Sequence, residues 1–358
     1  MHACRNTSGI LVTLLALVCG CGSNSNGSPQ NTPQSTSNVL NGQYAFVLSG
    51  FDSTGNPMGI IGGILADGLG HITSGSIEVN DNFAVSSSNS AVTGTYTLDS
   101  NVRGVITLTN SFGSVAQPLA FAFTLRADGT SGDLIGFDNN NFIVAGTIQQ
   151  QDKTAFSLAA LSASSGSFAF ELDSAAAART STVGRFTLSA NGISSGGLFD
   201  VSVAGTGPTT VGGSLSVTFA ANGPDGNGRG TLSASENGAS ANYVYFIINA
   251  GRFAVMQTDT NFPNTLNVGV AEKQNLPFST TTVNTPGSVF ALTGFDSGLN
   301  NAISTVGQLQ ATVSSMATLL WDSDDGGDHI QSKKRSRRTV NLRCDERARN
   351  HHCGRRLG

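Results

Sequence analysis

The stretch Gly192-Ile193-Ser194-Ser195-Gly196 carries the G-x-S-x-G spacing of a nucleophile elbow, with Ser194 as the candidate nucleophile. That spacing supports acyl chemistry only where a sharp strand-to-helix turn lifts the serine toward a substrate. Here the flanks read as two strands. An earlier counterpart, "GHITSG" at 70–75, is ordinary hairpin material, so Ser194 is assigned to a turn. Acid–base partners are scarce: His71 is the sole histidine between the leader and the tail, and it adjoins a predicted turn. Asp52, Asp67, Asp81, Asp99 and Asp138 each stand beside Gly, Asn or Ser, where a carboxylate caps its own turn.

Oxygen-rich clusters such as "VNDN" (79–82) and "FDNNN" (137–141) suit calcium in type, but none has EF-hand spacing. "DSDDGGD" (322–328) matches such a loop only at its first positions and at Gly327. In the tail, Cys344, His351, His352 and Cys353 fit no standard zinc finger, and "KKRSRR" (333–338) has the form of a basic nucleic-acid patch. No catalytic residue, cofactor site or metal site is therefore expected.

Composition explains why. Only 12% of the 358 residues are charged, while Gly reaches 44 and hydrophobic residues 39%. Such a chain can bury a core through many tight turns, and it reads as all-β. Residues 1–318 hold 17 acidic and 9 basic side chains, and residues 319–358 hold 6 and 10. The body thus lacks the basic footprint of a nucleic-acid binder. No cysteine lies between Gly22 and Arg343, so the body has neither a disulfide framework nor a thiolate site. Twenty Phe against four Tyr and one Trp, Trp321, point to core packing rather than a sugar-stacking face.

The N-terminus supplies an address. Arg5 precedes an apolar run, Ile10 to Val18, too short to span a bilayer as a mature helix, which is the form of a secretory signal peptide. Val18-Cys19-Gly20-Cys21 resembles the bacterial lipobox, with an aliphatic residue three places before the cysteine and a small one directly before it. The resemblance implies cleavage before Cys21, lipidation of its sulfur and acylation of its amino group. More than one acyl chain gives stable anchoring where a single chain is marginal. The alternative is an ordinary signal peptide with unrelated cysteines. The polar stretch after Cys21, with Pro29 and Pro33, reads as a flexible tether.

Beyond the tether the chain repeats. "GQYAFVLSGFDSTG" from Gly42 is echoed by "GSFAFELDS" from Gly166 and by "GSVFALTGFDSG" from Gly287, which aligns Phe46, Phe170 and Phe290. Spacings of 124 and 120 residues suit whole small domains. Further echoes pair "IGGILADG" (61–68) with "VGRFTLSANG" (183–192), "VRGVITL" (102–108) with "GRGTLSA" (228–234) and "VAGTIQQQ" (144–151) with "NVGVAEKQ" (267–274). The expected organisation is a signal peptide (1–20), a lipidated cysteine and tether (21–39), repeat 1 (40–152), a linker (153–163) and repeat 2 (164–274). A second linker (275–284), a truncated third repeat (285–311) and an atypical basic tail (312–358) follow.

Runs such as "LAFAFTL" (119–125) and "SLSVTFA" (214–220) alternate greasy and small residues, the mark of antiparallel strands. Between runs lie Asp67-Gly68, Asp128-Gly129, Asn191-Gly192 and Asn222-Gly223, which accept the positive φ of hairpin turns. About eight strands per repeat and no helical periodicity predict tandem eight-stranded up-and-down barrels, with β-sandwiches as the alternative. "GQYAF" resembles the opening strand of lipocalin-type barrels.

In the third copy, Thr312-Val313 stand where Asp-Gly is due. Thr codons are ACN and Val codons GTN, and reading one base earlier permits Asp and Gly. Residues from about 312 are therefore expected to reflect a frameshift, against the alternative of a genuine basic extension; strands 285–311 would then lack partners.

The chain resembles the many uncharacterised bacterial lipoproteins in which a lipobox and polar tether precede Gly/Asn-rich β-repeats. The expected role is a non-enzymatic, membrane-anchored protein of a bacterial cell envelope, on the outer membrane or cell surface, with the periplasmic face as alternative. It would act structurally or by adhesion to a surface protein or polysaccharide, without nucleic acid. The rival reading is a carrier of a small apolar ligand in the barrel lumen.

Overall fold

The computed structural model describes residues 40–274, apart from 83, 110–117, 127, 138–141, 165, 175–178 and 260–265, and the backbone of four later strands. Repeat 1 forms β1 (Asn41–Phe51), β2 (Pro57–Asp67), β3 (His71–Asp81), β4 (Ala84–Ala91) and β5 (Thr93–Leu98). It continues through β6 (Arg103–Thr109), β7 (Leu119–Leu125), β8 (Ser131–Gly136) and β9 (Ile143–Gln150). Every pairing is antiparallel, and β9 returns to β1. Eight of these strands close a barrel, with β4 attached to the outer half of β3. The wall is thinnest where β3 meets β5, through only His71–Thr95 and Ile72–Gly94.

Repeat 2 forms β10 (Ser167–Ser174), β11 (Thr180–Leu188), β12 (Ser194–Val203), β13 (Gly207–Phe219), β14 (Arg229–Glu236), β15 (Ala239–Asn249), β16 (Arg252–Gln257) and β17 (Asn267–Lys273). These eight close a second barrel in simple up-and-down order. Tandem eight-stranded antiparallel barrels are thus the fold. The expected hairpin glycines turn as their sequence requires: Gly68 sits at φ +77° and Gly192 at +82°.

One cross-strand pair recurs at the start of each repeat. Phe46 lies opposite Gly62, Phe170 opposite Gly184, and Phe290 opposite Gly307. In the two barrels the ring lies over the glycine: a Cβ on Gly62 would fall 2.6 Å from the Phe46 ring, and one on Gly184 2.5 Å from Phe170. An eight-stranded barrel is just wide enough for side chains to fill, so a large ring on one strand needs its neighbour to leave space.

The 153–163 segment, expected as a plain linker, contains a 3-10 turn (Lys153–Ala155) and the short helix α1 (Leu158–Ser162). The Ser157 hydroxyl caps α1 by accepting from the Ala160 amide at 3.1 Å. Leu161 and Ala155 are buried in the second barrel's core. Five residues cannot display a helical period, which is why the pattern gave no sign of it.

A third sheet comprises β18 (Ser288–Asp296), β19 (Asn301–Ala311), β20 (Met316–Asp324) and β21 (Ser336–Asn341) in that order. Residues beyond 311 supply two of its strands, and β19 pairs on both sides.

The barrels pack on each other through their outer walls. Ala45 and Ile61 of the first meet Val244, Phe246, Met256 and Val268 of the second in a separate apolar core. Gly59 and Gly63 leave space for that approach, since a Cβ on Gly59 would lie 2.9 Å from the Met256 sulfur and one on Gly63 3.1 Å from the Phe246 ring. At the edge of this core, Arg229 donates from Nε (2.8 Å) and Nη2 to the Glu78 carboxylate, which is 1% exposed. The Gln151 amide donates to the backbone carbonyls of Asn227 and Ile247, and Asn80 donates to that of Gln257 at 2.9 Å.

Two outcomes follow for stability. Gly184→Leu drives a side chain into the Phe170 ring and is expected to cost about 1–3 kcal/mol in urea unfolding. Arg229→Ala strands the buried Glu78 carboxylate and is expected to cost about 3–5 kcal/mol in the same assay, well beyond an ordinary surface arginine.

Candidate functional site

Three of the carboxylates singled out in the sequence, Asp52, Asp67 and Asp99, cap turns, while Asp81 ends β3. Asp52 accepts from the amides of Thr54 (2.8 Å) and Asn56 (2.7 Å). Partial burial alone would raise the Asp52 carboxyl, but these hydrogen bonds hold it below its ordinary value. Asp67 accepts from the amides of His71 (3.0 Å) and Leu69 (2.7 Å), and backbone donation from His71 is the main cause lowering its carboxyl. The His71 ring rests 2.8 Å from the other Asp67 oxygen, with its side chain 63% exposed. Asp99 accepts from Asn101 and Arg103 amides at 2.8 and 3.0 Å. Asp81 is pushed up, first by burial and then by the Asp52 charge.

Ser194 opens β12, and its hydroxyl accepts from the Val217 amide at 2.6 Å, so it serves the sheet. No group of three or more His, Cys, Asp or Glu comes together among the described residues. Cys21, Asp138, Cys344, His351, His352 and Cys353 lie outside the described residues.

The second lumen is packed with rings. Phe168 stacks on Phe186 (5.7 Å) and tilts against Phe253 (5.4 Å), while Phe219 meets Tyr245 edge-on at 5.0 Å. A pocket of about 40 Å³ among them is lined by Leu172, Leu215, Val217, Glu236, Tyr243 and Val255. That volume is far below the roughly 300–1,000 Å³ of ordinary small-molecule sites. Glu236 ends β14 on the inward side, and burial there raises its carboxyl above its usual range.

The larger concavities lie on the outer walls. On the second barrel, Ala169, Val183, Leu198 and Val270 floor an open groove of about 620 Å³, with Arg185 and Asp200 among its charged residues. On the first, Val105, Ala122, Ile135 and Phe137 floor one of about 740 Å³, with Arg103 and Asp133 alongside. Ile135, Phe137, Val183 and Val211 are 52%, 60%, 48% and 79% exposed. Both grooves are open to solvent and carry exposed apolar side chains. The sequence shows their residues only as the polar-facing half of each strand, punctuated by an unexpected Ile or Val.

No family model matches the chain, and no curated protein matches it. Among solved structures, the crystal structure of a protein with unknown function from the DUF3598 family of Nostoc punctiforme PCC 73102 is similar over 68% of this chain and 100% of that chain. The identity is 10% and the TM-score 0.18, a likeness too low to carry any argument.

Glu236 yields a pH test. Its folded-state carboxyl titrates above the unfolded one, so the folded chain binds more protons between the two values and loses stability as pH rises through that window. Glu236→Gln is therefore expected to stabilise the chain at neutral pH, with the gain fading as pH falls to about 4. Urea midpoints across pH measure this, and a gain that persists unchanged in acid contradicts it.

Proposed function

We propose that this chain is an exported lipoprotein of a bacterial cell envelope, held to the membrane through Cys21, whose barrels serve a structural or interaction role without catalysis. The observation that carries the non-carrier side of this reading is the second barrel's interior, which its own Phe and Tyr rings fill to a residue of about 40 Å³. The same interior counts against the rival reading, a carrier of a small apolar ligand. The exposed apolar positions on the outer walls give an interacting molecule somewhere to sit. The anchor rests on the order Val18-Cys19-Gly20-Cys21 after the apolar run. Asp52, Asp67, Asp99 and the Ser194 hydroxyl are engaged in turns and strands.

The test is fractionation of cells making the full chain or its Cys21→Ala variant. The natural chain is expected in the membrane fraction and the variant in the soluble exported fraction. A variant that still partitions fully with membranes removes the lipid anchor.

A further inference from the structure

The contact that joins the barrels has an unfilled duplicate at each end of the pair. Strand registers superpose the repeats residue by residue: Phe46 with Phe170, both opposite a glycine, and Gln151 with Gln274, whose amides donate to the carbonyls of Gln43 and Ser167. By the same registers, Glu78 opposite Ile61 corresponds to Asp200 opposite Val183. Arg229 opposite Phe246 corresponds to Arg103 opposite Thr124. The turns that aim the two arginines are also the same. Asp225 accepts from the Asn227 and Arg229 amides as Asp99 does from those of Asn101 and Arg103.

Within the chain, Arg229 of the second barrel closes on Glu78 of the first. The duplicates are left over. Arg103 is exposed in the first barrel's outer groove, and among the described residues it makes no salt bridge; Asp200 is exposed in the second's, accepting one hydrogen bond, from the Gly212 amide at 2.6 Å. The apolar positions repeat as well. Ile135 and Ile143, 52% and 79% exposed, stand where buried Met256 and Leu266 cover the first barrel. Val183, 48% exposed, stands where Ile61 is covered.

Side-chain exchanges between the two faces compensate each other. In the chain, Phe246 fills the space above Gly63. At the duplicate, Gly63 becomes Arg185, Phe246 becomes the smaller Thr124, and Ala254 beside it becomes Asp133. A contact built on the same registers would thus set a small residue with a neighbouring carboxylate against the arginine, in place of a ring over a glycine.

We infer that the partner of these faces is a second copy of this chain, docked head to tail so that Arg103 of one copy meets Asp200 of the next. The contact repeats the geometry of Arg229 on Glu78, is more polar than the internal one, and leaves a free face at either end. Such a heterologous contact propagates into a row or closes into a ring. This takes the interaction reading above as its basis and names the partner.

The test uses the full chain in mild detergent, followed by sedimentation velocity over a range of concentrations. The natural chain is expected to self-associate reversibly. Arg103→Glu alone and Asp200→Arg alone each set like charges against each other, and each is expected to weaken association by about tenfold or more. Mixing the two variants makes every contact complementary again and is expected to restore association. Both positions are exposed, so unchanged circular dichroism and melting confirm that folding is intact. A natural chain that stays monomeric, or association indifferent to both reversals and to mixing, overturns the inference. Either result leaves the anchor, read separately through Cys21→Ala, untouched.

Discussion

The narrow bore of an eight-stranded barrel governs this molecule. Its interior admits only as many side-chain atoms as its layers can hold, and the chain spends that room on phenylalanine. Some of these rings sit over a neighbour without a Cβ, as Phe46 does over Gly62 and Phe170 over Gly184. The same exchange recurs further round, where a Cβ on Gly104 would fall 2.7 Å from the Phe123 ring and one on Gly230 2.2 Å from that of Tyr245. Large inward rings therefore account for part of the glycine content, and they leave the second lumen with almost no free volume. The interaction role proposed for the molecule accordingly draws on its outer walls, where apolar side chains are exposed.

Those walls are not equivalent. β2 is buried from Pro57 to Ile64, and β15 from Tyr243 to Ile248, so both faces of each strand are covered. The two covered stretches meet across the barrel–barrel core, which turns two small domains into one packed body. A buried ion pair at its edge is an expensive way to join surfaces, since desolvation offsets much of the Coulomb attraction. Its value lies in register: the Arg229 fork and the Gln151 amide fit one relative position of the barrels and penalise others.

The barrels themselves were readable from the chain because their signals are local. Alternation in "LAFAFTL", the Asp-Gly and Asn-Gly pairs and the echo of Phe46 at Phe170 each depend on neighbours in sequence or on copying. The packing of barrel on barrel was harder, yet it left a trace. "PMGIIGGILAD" and "YVYFIIN" lose alternation and run greasy on both faces, as strands buried on both sides do. Nothing in "SIEVND" marks Glu78 as half of a buried ion pair, because a partner 151 residues away in sequence leaves no local sign. The 3-10 turn and α1 were invisible for the opposite reason, being too short to show a period. Lipidation at Cys21 is an expectation from the sequence pattern alone, since that residue lies outside the described ones.

Through their outer walls the two barrels form one cooperative body. Scanning calorimetry of the full chain tests it most directly, comparing the natural protein with one in which Phe246, the ring seated over Gly63, is cut back to alanine. Both barrels are expected to melt in a single transition in the natural chain, and Phe246→Ala is expected to split it into two. Two separate transitions already present in the natural chain, with only the second barrel's moved by the substitution, would contradict it.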